Sequence, residues 1–186
     1  ANEKNSKNNS KSFSVEVIDE QTKILLLTDY LHPDIGALKK AIESNKQRVV
    51  DVQLVDRFEN QLKDYQLVIL YQPNNKFNKI FNFLRQEKAN YFMISGVETD
   101  WSYINNLSVG FTKKAINQSE DYTANYNDNF LTFFQENIGF ENLPPLKDKF
   151  GEVNFTKEHQ TLLFQNINGI ESNQPLLATF EENNHK

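Results

Sequence analysis

The chain has 186 residues, 38% of them hydrophobic and 12% aromatic, with 15 Phe supplying much of the apolar volume. That length suits one domain with short arms, and that apolar content excludes a chain disordered throughout. A net charge of −5 argues against a nucleic-acid surface, and the absence of Cys removes disulfides, thiolate metal sites and cysteine nucleophiles.

Residues 1–12 are almost wholly Asn, Lys, Ser and Glu, which read as a flexible arm or linker because they bury too little to offset their ordering entropy. Residues 181–186 read as a polar tail, leaving 13–180 as a single α/β domain. Ala1 stands where an initiator Met would, so both ends look like cuts in a longer chain. The N-terminus lacks the signal-peptide pattern, and no run reaches the roughly 18 apolar residues of a membrane-crossing helix.

Phe13, Val15 and Val17 alternate with polar residues, the period of a short edge strand. Lys23–Thr28 is a continuous apolar run, as expected of a strand covered on both faces. Asp29–Pro33 forms a loop, with Asp34 placed to cap a helix whose buried stripe is Ile35, Leu38 and Ile42. Asn45 is its expected stop. Arg48–Val55 and Gln66–Tyr71 are the next strands, the latter ended by Pro73. Phe77, Ile80, Phe81 and Leu84 mark a second helix, and Asn90–Ser95 a fourth strand closed by Gly96. Strands alternating with helices predict a mainly parallel sheet with helices on both faces.

Beyond residue 100 the pattern changes. Trp101–Leu107 reads as a short helix, and 111–134 is polar without a helical period. Asn142–Leu146 is an extended Pro-Pro connector. Thr161–Phe164 and Leu176–Phe180 read as strands, with a turn at Ile167–Ile170. These elements are expected as β-rich additions to the same sheet.

Ligands of open α/β sheets bind beyond the carboxyl ends of the strands. Three polar clusters fall there: Asp29, His32 and Asp34; Tyr71 and Gln72; and Ser95, Glu98, Thr99 and Asp100. The first could hold a metal or make His32 a base, or Asp34 could cap while His32-Pro33 shapes the turn. Ser95-Gly96 follows a strand as a nucleophile elbow does, but Met93 and Val97 stand where that motif has Gly. Trp101 and Tyr103 could form a ligand platform or pack in the core. His159 reads as an exposed loop residue, and His185 lies in the tail. With 6 Gly in the chain, neither a phosphate loop nor a dinucleotide fingerprint is present.

Lys23-Ile-Leu-Leu-Leu-Thr-Asp-Tyr-Leu-His-Pro-Asp-Ile-Gly-Ala-Leu38 resembles the opening strand, loop and helix of class I glutamine amidotransferase-like domains. The nearest branches are the ThuA-like one and amidotransferase-like segments of large Bacteroidetes membrane proteins, some carrying von Willebrand A domains. The resemblance covers residues 23–107 well and implies a flavodoxin-like, three-layer fold. Family members end the fourth strand in a Gly-Ile-Cys-x-Gly-x-Gln elbow. Matching Gly96 to its second Gly puts Phe92 at the first, Ile94 at the Cys and Glu98 at the Gln. Ile94 has no nucleophilic atom. Tyr71-Gln72 replaces the oxyanion-hole glycines, and Thr179–Asn183 lacks the His-x-Glu pair. The resemblance therefore implies a non-catalytic relative, an interaction or ligand-binding module of a larger cell-envelope protein, extracytoplasmic, with other domains or envelope proteins as partners. No cofactor, metal or nucleic acid is implied. Asp29, His32, Tyr71, Gln72, Ser95 and Glu98 are its expected ligand-binding residues. The alternatives are a sugar or amide hydrolase using His32 with Asp29 or Glu98, and a structural spacer.

Overall fold

A computed structural model describes residues 21–59 and 62–181. The arm at 1–12, the strand expected over Phe13–Val17, His185 and all of the tail but Glu181 lie outside the described residues.

The first half alternates as its apolar pattern requires: β1 (Thr22–Thr28), α1 (Pro33–Ile42), β2 (Arg48–Leu54), β3 (Leu67–Tyr71), α2 (Asn78–Glu87), β4 (Tyr91–Ile94) and α3 (Trp101–Asn106). The four strands form a parallel sheet in the order β2-β1-β3-β4. Successive residues of β1 point to opposite faces, and both faces are covered. Ile24 and Leu26 pack with Ile35, Leu38 and Ile42 of α1, while Leu25 and Leu27 pack with Ile80, Phe81 and Leu84 of α2 and with Trp101 and Ile104 of α3. This two-sided burial explains why β1 reads as an unbroken apolar run. Between β2 and β3 the chain crosses by two short 3-10 turns, which seat Val55 and Leu62 in the α2-side core.

Local signals set the helix ends with one difference from expectation. His32, not Asp34, is the N-cap of α1: its backbone is extended and its Nδ1 accepts from the Asp34 N–H at 3.3 Å. Pro33 then takes the first helical position, where its missing N–H costs nothing, and Asp34 falls in the first turn. The helix ends at Ile42, capped by Glu43 rather than Asn45. α2 ends at Lys88, which adopts the left-handed conformation.

The second half does not extend this sheet, contrary to the sequence expectation. β5 (Phe111–Tyr126), β6 (Leu146–Phe155), β7 (His159–Ile167) and β8 (Ile170–Phe180) form a separate antiparallel sheet, in the order β6-β5-β7-β8. The long β5 pairs with β6 over Phe111–Tyr122, with a bulge between Ala115 and Ser119, and then with β7 from Thr123. Asn168 and Gly169, both at positive φ, make the expected tight turn between β7 and β8. His159 opens β7 instead of lying in a loop, its ring stacked 4.0 Å from that of Phe155. The halves meet where Phe111 and Ala115 of β5 pack on the α2-side core, with Phe111 edge-on to Trp101.

Candidate functional site

In the order β2-β1-β3-β4, the connection after β1 leads to one side and the chain returns to the other side at β3. The sheet therefore has its topological switch point between β1 and β3, where the following loops diverge and leave a crevice. Side chains from three loops meet there.

Tyr71 ends β3 with its ring buried and its hydroxyl at the rim. That hydroxyl donates to Asp34 Oδ2 at 2.8 Å and lies 3.1 Å from His32 Nδ1. Burial, followed by the hydrogen bond to the Asp34 carboxylate, raises the Tyr71 pKa well above its ordinary value. The His32 ring stacks on that of Tyr71, centroids 6.0 Å apart, and Tyr30 stands edge-on to His32 at 6.1 Å. Burial first, then the Glu98, Asp34 and Asp29 carboxylates, raise the Tyr30 phenol as well. Tyr30 is half-buried and His32, Asp34 and Glu98 are exposed, so an imidazole–phenol face rimmed by carboxylates opens to solvent.

The other expected residues have different work. Asp29 Oδ2 accepts from Asn74 at 2.9 Å and Oδ1 from Lys76 at 2.6 Å; Lys76 also lies 3.4 Å from Asp56. Burial pushes the Asp29 carboxyl up, but the hydrogen bonds from Lys76 and Asn74 outweigh it and hold it below its ordinary value. Asp29 thus bridges the loops after β1 and β3 and does not pair with His32. Among the described residues no three His, Asp or Glu side chains group as a metal ligand set.

Gln72 is buried and adopts φ 46°. Its side chain crosses Gly96 and its Oε1 accepts from the Glu98 N–H at 2.8 Å. A Cβ at residue 96 would come within 2.5 Å of the Gln72 amide carbon, which is why glycine stands there. Gln72 therefore shapes the loop after β4 and presents Glu98, rather than facing a ligand itself. The Gly96 N–H in turn donates to Thr99 Oγ1 at 2.9 Å.

Ser95 leaves this crevice altogether. Its Oγ donates to Asp148 Oδ2 of β6 at 2.7 Å, and the same oxygen accepts from Lys113 Nζ of β5 at 2.9 Å. This hydroxyl ties the loop after β4 to the antiparallel sheet. Lys113 is only 2% exposed, with its ammonium 5.3 Å from the Trp101 ring centroid and 5.6 Å from that of Tyr122. Sequence reasoning missed Lys113 and Asp148, because each sits beside other charges, Lys114 in one case and Lys147 and Lys149 in the other, in a stretch that reads as a solvated face. The available signal was that Lys113 falls on the same face as Phe111 and Ala115 in a strand-like segment, and only tertiary contact gives it meaning. Trp101 and Tyr103 are core residues: Trp101 is buried and Tyr103 meets Phe81 edge-on at 6.2 Å.

The chain is thus a two-sheet α/β protein whose parallel half carries a polar crevice at its switch point. No protein-family model matches it, and comparison with curated proteins gives no match either.

Proposed function

We propose that the protein is a non-catalytic amidotransferase-like domain, ThuA-like and flavodoxin-like in its parallel half, that serves as an interaction or ligand-binding module of a larger cell-envelope protein. The observation that carries this reading is the state of the strand ends. Asp29 is consumed by Asn74 and Lys76, Gln72 by the Glu98 amide and Ser95 by Asp148, while the Tyr30–His32–Glu98 face stays open. Ile94 stands at the position of the family nucleophile and packs against the α1-side core. Such a face can stack on and hydrogen-bond a partner, but it offers no nucleophile paired with a base.

Exposed apolar side chains between β5 and β6 support the interaction reading. Leu131, Phe134 and Ile138, within eight residues of one connection, are 81%, 85% and 64% exposed, as apolar side chains of a contact surface are.

Two measurements test the proposal. Incubation with glutamine and with an ester, amide and glycoside panel is expected to give no turnover; a bell-shaped pH–rate curve lost in His32→Ala would revive the hydrolase. Photo-crosslinking groups at 32 and 134 of the full-length parent in its own cells are expected to capture one discrete neighbour. Silence at both positions would leave the spacer reading in its place.

A further inference from the structure

Between β4 and the antiparallel sheet lies a cavity of about 860 Å³. That volume falls in the range of small-molecule sites, which run to roughly 300–1,000 Å³ and are mostly apolar with a few converging polar groups. Met93, Phe111, Phe155, Leu163, Leu176 and Phe180 line it, so most of its wall offers no hydrogen bond. Its charges are lopsided. Arg85, Lys88 and Lys113 line it with one carboxylate, that of Asp148, in a chain whose net charge is −5, while Lys147, also in the lining, pairs with Asp121 at 3.2 Å.

Two donors in the wall lack full complements of acceptors. The Lys113 ammonium has three N–H bonds, and Asp148 is the acceptor it meets among the described residues, at 2.9 Å, with the Trp101 and Tyr122 ring centroids 5.3 and 5.6 Å away. Trp101 Nε1, of a side chain in the same wall, is buried without a hydrogen-bond partner among the described residues. A buried donor without an acceptor is costly, and a bound oxyanion would relieve both.

We propose that this cavity is a binding site for an amphipathic carboxylate of the fatty-acid class. The acyl chain lies against the aromatic and aliphatic wall. The carboxylate accepts from Lys113 and Trp101, its charge balanced by the excess of cations. The site is separate from the strand-end crevice, so it stands or falls independently of the proposal for that face.

The chain's single Trp is Trp101 itself, so its fluorescence reports occupancy directly. Palmitate below its micellar concentration is titrated against the full chain by fluorescence and by calorimetry, with hexadecanol as the uncharged analogue. Saturable binding is expected, at least about ten-fold tighter for palmitate than for hexadecanol, a ratio equivalent to about 1.4 kcal/mol. Lys113→Met should bring that ratio close to one. Because this variant removes one member of a buried pair, Ala178→Phe provides a second arm: it fills the cavity from β8 without touching the pair, and should abolish binding. Vesicles of dioleoylphosphatidylglycerol distinguish a soluble fatty acid from an acyl chain held in a bilayer; binding to vesicles but not to palmitate overturns the proposal. So do an absence of saturable binding, equal affinity for acid and alcohol, or undiminished binding by a folded Ala178→Phe.

Discussion

In the parallel sheet, Leu25, Leu26, Leu27 and Leu70 are sealed from solvent, whereas β6 and β8 have no buried residue from end to end. The antiparallel half keeps a small core of Ala124, Phe130, Leu162 and Leu163, and turns much of its remaining apolar surface toward the cavity. The difference teaches where stability and binding divide. A strand covered on both faces stabilises the fold through each residue, while a strand covered on one face can lend the other to a ligand or partner.

A large effect is expected at the joint between the halves. Lys113→Met leaves the Asp148 carboxylate, 14% exposed, without its cation, and should cost about 3 kcal/mol by urea denaturation. Replacing both, as Lys113→Met with Asp148→Leu, should recover much of that loss. If the double variant is as damaged as the single one, an Asp148 carboxylate left without its cation is not the source of the loss.

Core truncation sharpens the contrast. Leu26→Ala in β1 should cost about 2–5 kcal/mol, because the site is sealed and cannot refill. Leu177→Ala in the half-buried β8 should cost less than half as much, since that side chain already faces the cavity. Equal losses would erase the distinction.

A smaller effect is expected at Gly96. Gly96→Ala drives a methyl into the Gln72 amide and should destabilise by about 1–3 kcal/mol. In a Gln72→Ala background the same change should cost much less, because the obstructing side chain is gone. Additive losses would mean that the methyl strains the backbone instead.

The smallest effect is a pH dependence. The Asp29 carboxyl is held below its ordinary value of 3.8, so its contribution is fully present above that pH and is lost as pH falls through the depressed folded value. Asp29→Asn should therefore flatten the acid limb of a stability–pH curve and leave its shape above pH 6 unchanged. An unaltered acid limb would show that the bridge to Lys76 and Asn74 contributes nothing.

The same division explains how much could be read from the residues alone. β1, β3, α1 and α2 were legible to within about two residues, because two-sided burial writes apolar runs and i, i+3, i+7 stripes directly into the chain. β6 was not, since Leu146–Phe155 alternates polar and apolar residues weakly and buries none of them fully. The turn at Asn168-Gly169 was visible, but nothing local says that β7 and β8 pair with β5 rather than joining β4. Of the strand-end residues, Asp29, His32, Tyr71, Gln72 and Glu98 lie at the carboxyl ends of the parallel strands, as their positions after the apolar runs implied. Their roles depended on partners such as Asn74, Lys76 and Gly96 that only tertiary contact reveals. The contact of Ser95 with Asp148 was hidden for the same reason, since Asp148 lies on a strand the sequence did not announce.

Native-state hydrogen exchange read by NMR, with and without palmitate, tests this division most directly. Amides of Leu25–Leu27 and Val68–Leu70 should be the slowest in the chain, and those of β5, β7 and β8 should open at lower free energy. Palmitate should raise protection in the antiparallel half and leave the β1 and β3 amides unchanged. A single cooperative opening for both sheets, or protection that rises instead at Tyr30–Asp34, would contradict the account.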